Sequence, residues 1–226
     1  MAENVDAIGS GFTGFKAEDN LQIKRVLISV FNKDGLVQFA KKLREHGAEI
    51  ITTGGTYKTL TENGVPATLL ETITAFPEML EGRVKTLQPE VFAGILARKP
   101  IEDHMHQLLE KKIKPIDMVV CNFYDFKEVA LRGGATTQEL IEKIDIGGPS
   151  LVRAAAKNYE SVCVVPSKDH YDTIAQELDM LKGKISPNTR LQQSLATFRI
   201  VHKYDSTIVS VLDNRFKKPT PTKSRS

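Results

Sequence analysis

The chain has 226 residues, 41% of them hydrophobic and 26% charged, which excludes a disordered protein and fits one large domain or two small ones. Its formal net charge is +3, but Lys217, Lys218, Lys223 and Arg225 lie among the last ten residues with no acid, so residues 1–216 carry −1. A nucleic-acid binder spreads basic charge over a folded face, a membrane span needs roughly 18–20 apolar residues in a row, and a signal peptide starts basic and turns apolar; none of these patterns is present, so a cytoplasmic protein is expected, without nucleic acid or membrane as partner.

Residues 1–24 read as an N-terminal extension and 217–226 as a basic, disordered tail, leaving 25–216 as the domain. Residues 25–31 (RVLISVF) are β-branched and apolar and predict a central strand. Leu36, Val37, Ala40 and Leu43 recur at helical spacing, and Gly47 sits at the stop position. Residues 48–53 return to strand character. A turn is expected at 53–56 (TGGT), a short helix over 57–63, and a third strand over 66–70. Residues 71–86 have no clean period and contain Pro77 and Gly82, which predicts a long loop; such loops in compact domains are usually functional. Helices follow at 89–98 and 101–112, then the most hydrophobic strand at 116–123 (IDMVVCNF). A helix over 137–143 is broken by Gly147-Gly148-Pro149 and resumes over 150–158; the last strand is 161–165. Two helices, 168–181 and 188–212, close the chain, with Ser186-Pro187 supplying a cap and a first-turn proline. Strands alternating with helices predict an α/β fold, a parallel sheet sandwiched by helices. Cys121 and Cys163 sit in apolar runs and are expected to be buried free thiols, with no metal-ligand spacing around them.

In such a sheet, ligands bind beyond the carboxyl ends of the strands. Three segments fall there: Asn32-Lys33-Asp34-Gly35, Thr53-Gly54-Gly55-Thr56 and Asn122-Phe123-Tyr124. The paired glycines let backbone N–H groups converge at a helix start, which makes an anion cradle or simply a turn. Arg83 and Lys85 fall on one side of an extended stretch, where they suit a phosphoester or form a solvated basic pair. Asp145, between two isoleucines and before Gly147-Gly148, is either a helix cap or a carboxylate for chemistry. Lys157 ends an alanine-rich helix, where partial desolvation would free it for proton transfer. The five histidines are scattered, and a metal site is not expected.

Together, residues 29–35 (SVFNKDG), 53–56 (TGGT), 76–87 (FPEMLEGRVKTL), 121–124 (CNFY) and 144–158 (IDIGGPSLVRAAAKN) resemble the IMP cyclohydrolase domain, normally the N-terminal part of the bifunctional purine biosynthesis protein. The resemblance runs from about residue 25 to 216. It implies a methylglyoxal synthase-like fold with C-terminal helices. The implied activity is conversion of 5-formamidoimidazole-4-carboxamide ribotide to IMP and water, by a homodimer that needs no cofactor or metal. By matched position it implies catalytic roles for Lys85, Tyr124, Asp145 and Lys157. It also implies substrate contacts from Ser29, Phe31, Asn32, Lys33, Thr53, Gly54, Gly55, Thr56, Arg83, Val84, Thr86, Cys121, Asn122, Ile146 and Gly147. Asp145 and Lys157 would manage the carboxamide proton, and Lys85 and Tyr124 would stabilise and protonate the formyl oxygen.

The chain departs from the family pattern in several places. Phe31 stands for a serine, Gln88 and Phe92 for histidines, and Tyr159 for the histidine after the lysine-asparagine pair. A neutral amide at 88 keeps a hydrogen bond but does not titrate near pH 7. No formyltransferase domain follows, and the basic tail does not resemble the start of one. A chain acting alone, with a separate formylating enzyme supplying its substrate, is therefore expected. A same-family cyclase for a related nucleotide and a methylglyoxal synthase-like phosphate lyase are the alternatives.

Overall fold

The computed structural model describes residues 19–123, 126 and 136–216. Tyr124 and the basic tail lie outside them. The element order is β1 (Leu21–Gln22), β2 (Arg25–Val30), α1 (Leu36–Glu45), β3 (Glu49–Thr52), α2 (Gly54–Glu62), β4 (Thr68–Leu69), α3 (Leu70–Thr74), α4 (Pro89–Leu96), α5 (Glu102–Glu110), β5 (Met118–Asn122), α6 (Thr137–Glu142), α7 (Gly147–Lys157), β6 (Cys163–Val165), α8 (Tyr171–Met180), β7 (Lys184–Ile185) and α9 (Pro187–Phe216).

Five strands form one sheet in the order β4-β3-β2-β5-β6, every pair parallel, as the alternating pattern predicts. Side chains on successive strand residues point to opposite faces, so each strand serves two layers. Val26, Ile28, Val30, Ile50, Met118, Val120 and Cys163 face one layer with Leu36, Phe39 and Leu43 of α1 and Ile174 and Leu178 of α8. Leu27, Ile51, Val119, Cys121 and Val164 face the other, against Val91 and Ile95 of α4, Leu151 and Ala155 of α7, and Val201 of α9. Burial on both faces explains why these strands are apolar without alternation. Truncating a side chain such as Leu27 to alanine would cost about 2–5 kcal/mol.

Both cysteines are buried free thiols, and burial pushes the Cys163 thiol up to about 12. Helix α9 is 30 residues long, about 45 Å. It buries Pro187, Arg190, Ser194, Thr197, Val201 and Tyr204, one stripe at steps of three and four. No helix among the described residues is long and apolar enough to cross a membrane.

The structure differs from expectation at three points. Leu21 pairs with Ile185 and Gln22 with Lys184 in a small antiparallel sheet, and Ile23 is in the core, so residues 21–23 belong to the folded unit and not to an extension. The 71–86 segment is not structureless: it holds α3, a 3-10 turn at Leu80–Gly82, and a bridge between Met79 and Val84. Both glycine pairs, 54–55 and 147–148, lie inside the first turns of α2 and α7, where breaks were expected.

Candidate active site

Chain direction reverses across the sheet between β2, which leads outward to β3 and β4, and β5, which leads outward to β6. A crevice opens beyond the carboxyl ends of strands at such a point. An open cavity of about 820 Å³ lies there, lined by residues from the ends of β2 and β5, the start of α2, the 81–86 loop, and the segment joining α6 to α7.

The end of β2 is locked to its neighbours. The Asn122 side chain accepts from the Phe31 N–H at 2.8 Å and the Asn32 N–H at 2.9 Å and donates to the Asn32 carbonyl at 3.0 Å. The Thr56 hydroxyl donates to the Val30 carbonyl at 3.3 Å and accepts its N–H at 3.4 Å, pinning α2 against β2. Ser29 and Thr53 hydroxyls lie 3.2 Å apart. Thr56 therefore has a structural task, and the polar groups left facing the cavity from α2 are its first-turn N–H groups, which have no carbonyl ahead of them inside the helix.

Three cations line the cavity: Lys33, Arg83 and Lys85. Lys33 Nζ reaches the Phe31 carbonyl at 3.4 Å. Arg83 pairs with Glu142 of α6. Lys85 Nζ lies 2.5 Å from Glu78 Oε2, and 3.9 Å from where a Cβ on Gly54 would be, so it stands at the start of α2. Facing these cations is Asp145. Its Oδ1 accepts the Gly148 N–H at 2.8 Å, and its own N–H donates to Tyr204 Oη at 2.8 Å. Burial raises its pKa, and the backbone N–H groups of Gly148 and Gly147 pull it partly back. Beneath lies Cys121, its thiol 3.9 Å from the Gly148 carbonyl and pushed upward by burial and by the Asp145 charge.

Of the expected site residues, Ser29, Phe31, Lys33, Thr53, Gly55, Thr56, Arg83, Lys85, Thr86, Cys121, Asn122, Asp145, Ile146 and Gly147 line this one cavity. Gly54 borders it through Lys85. Asn32 does not line it and acts on the turn, accepting the Asp34 N–H at 2.8 Å. Val84 holds the bridge to Met79 instead of facing the space. Lys157 is not brought to Lys85 and Asp145. It is exposed at the far end of α7, about 14 Å along the helix from Gly148, and the partial desolvation expected for it is not found. Glu78, Glu142 and Lys143 went unremarked in the sequence; the two glutamates reach their cations through a loop bend and a packed helix, which leave no periodic signal.

Residues 35–150 match the MGS-like domain family, and residues 155–226 match the AICARFT/IMPCHase bienzyme family. The second match continues past Phe216 to the last residue, so the tail falls within it rather than outside. The bifunctional purine biosynthesis protein PurH of Listeria monocytogenes is 47% identical over 201 residues, 89% of this chain and 39% of the relative. PurH of Caldicellulosiruptor bescii is 48% identical over 185 residues, 82% of this chain and 36% of the relative. The chain thus spans about two fifths of the length of these relatives. The crystal structure of ForH superposes with a TM-score of 0.70 at 30% identity, covering 84% of this chain and 98% of that one.

Proposed function

Because the chain belongs to the MGS-like domain family, in the form carried by the bifunctional purine biosynthesis proteins, we propose that it closes the second purine ring as an IMP cyclohydrolase. The substrate is 5-formamidoimidazole-4-carboxamide ribotide. The carboxamide nitrogen bonds to the formyl carbon, the formyl C–O bond breaks, and one hydrogen from each nitrogen leaves with that oxygen as water. Both groups are sluggish amides, so the reaction gains from holding them in a near-attack geometry and from donors aimed at the developing oxyanion.

One observation carries the reading: cations and a helix start gather on one side of a single cavity, and a half-buried carboxylate of raised pKa stands on the other. The first turn of α2, with Ser29, Thr53, Lys33 and Arg83, grips the ribose phosphate. Asp145 accepts the carboxamide N–H and takes its proton, a task that a raised pKa favours. Lys85 donates to the formyl oxygen. Tyr124 keeps its part on the resemblance alone, and Lys157, on the far end of α7, is given none. Assembly as a homodimer, a cytoplasmic setting and a separate formylating activity belong to the same proposal.

The test supplies purified protein with the formylated ribotide, without folate or metal, and follows IMP by chromatography. Rapid stoichiometric conversion is expected. Formation of IMP no faster than in buffer would reject the reading.

A further inference from the structure

We propose that Lys85 owes its position to a two-point clamp, in which Glu78 holds its ammonium group and Gln88 holds its backbone. The clamp rests on the ring-closing reading of the cavity, and it makes Glu78 and Gln88 positioning residues that touch no reacting atom.

The first point is set by a hairpin. Met79 and Val84 face each other as a bridged pair, the Met79 N–H reaching the Val84 carbonyl at 3.0 Å and the Val84 N–H the Met79 carbonyl at 3.2 Å. Glu78 and Lys85 are the next residues outward on the two arms, so they meet as cross-strand neighbours. The bend that makes this possible is unusual. Leu80, Glu81 and Gly82 have φ of 54°, 56° and 92°, three successive residues in the left-handed region, where a Cβ is disfavoured. Glycine at 82 also admits the glutamate: Glu78 Oε1 lies 2.8 Å from where a Cβ there would be.

The need for the carboxylate follows from where Lys85 stands. The start of α2 is the positive end of a helix dipole, and an ammonium beside it is repelled unless an anion intervenes. Glu78 supplies that anion from the outer side, leaving the cavity side of Lys85 for the substrate.

The second point is Gln88, which is only 4% exposed. Its amide nitrogen donates to the carbonyl of Lys85 at 3.0 Å and to that of Phe76 at 3.5 Å, so one side chain ties both arms of the hairpin. Its amide oxygen is buried without a hydrogen-bond partner. A buried orphan acceptor is unfavourable, and the residue's fit here lies in its two N–H donors.

The test compares the parent with Glu78→Gln, Gln88→Leu and Gln88→His, reading kcat and KM for the formylated ribotide, melting temperature, and the rate at which Lys85 is acetylated by an N-hydroxysuccinimide ester in the free protein. The clamp predicts that Glu78→Gln lowers kcat more than fivefold with KM within threefold and an unchanged melting temperature, and that Lys85 is acetylated more than threefold faster. Gln88→Leu lowers kcat likewise, and Gln88→His, which restores one N–H donor, recovers more than half of that loss on a logarithmic scale. A kcat loss below fivefold in Glu78→Gln, or Lys85 acetylation at the parent's rate, overturns the clamp. Should Gln88→Leu fail to fold, the half-exposed Glu78 site decides alone. Should the parent itself close no ring, the ring-closing reading falls, and the acetylation rates still decide whether Glu78 holds Lys85.

Discussion

Asp145 and Gly148 are joined by a 2.8 Å hydrogen bond from the glycine N–H to the aspartate Oδ1, so the carboxylate that faces the cavity also caps the first turn of α7. The two readings that the sequence left open for Asp145, a helix cap and a group for chemistry, are compatible in one side chain. The cap fixes the carboxylate's orientation, while burial keeps its pKa above the ordinary aspartate value.

This closeness makes position 148 intolerant. A Cβ there would lie 2.7 Å from Asp145 Oδ2 and 3.0 Å from the Phe123 Cβ. Gly148→Ala is expected to displace Asp145 and lower turnover by roughly 10²-fold. Gly55→Ala is the contrast: nothing lies within 4 Å of its added Cβ, and alanine favours a helix, so its melting temperature should be equal or higher. Thermal melts and steady-state kinetics on the two variants make the comparison.

Asp145→Asn separates activity from stability. Folded Asp145 has a pKa above 3.8, so between 3.8 and its raised value the folded state binds more protons than the unfolded one. Stability contributed by this group is therefore lost as pH rises through that window and stays lost above it. An asparagine keeps an acceptor for the Gly148 N–H and has no such titration. The variant should gain stability relative to the parent between pH 3.5 and pH 7, read from urea midpoints, while turnover falls about 10²-fold or more.

Lys85→Ala should lower turnover by roughly 10²–10³-fold, the usual effect of removing one donor to a developing oxyanion. Lys85 is part-exposed and lies in a loop, so far-UV circular dichroism and the melting temperature should be unchanged. Near-normal turnover would remove it from the reaction.

Arg190 has a purely structural task. Its guanidinium donates to the carbonyls of Tyr159 at 2.8 Å, Ile185 at 2.7 Å, Asp19 at 3.1 Å and Glu160 at 3.3 Å, tying α9 to the chain's beginning and to the α7–β6 connection. Arg190→Leu strips these buried acceptors and should cost about 3–5 kcal/mol in urea unfolding. Arg190→Lys should recover only part, because a point charge cannot reproduce the planar fork.

The central strands were legible because burial on both faces leaves an unmistakable apolar run, as in residues 25–31 and 116–123. The strand pair β1–β7 was not, because two-residue strands carry no pattern and Leu21 meets Ile185 only after the whole domain has closed. The glycine pairs at 54–55 and 147–148 were read as turns from local preference. Thr56 bonded to Val30, and Asp145 bonded to Gly148, hold those segments helical.

From the sequence alone came the α/β alternation, the rim that bears the site, and most of the residues that meet there, since strand ends and loop positions follow from short-range periodicity and chain order. Only the tertiary structure decided that Lys157 lies on the outer end of α7, that Thr56 serves the backbone, and that Glu78 and Glu142 neutralise Lys85 and Arg83. The reason is physical: a residue's face is fixed by its near neighbours along the chain, whereas its partner is fixed by which end of each element is carried to the rim when the sheet and its helices pack.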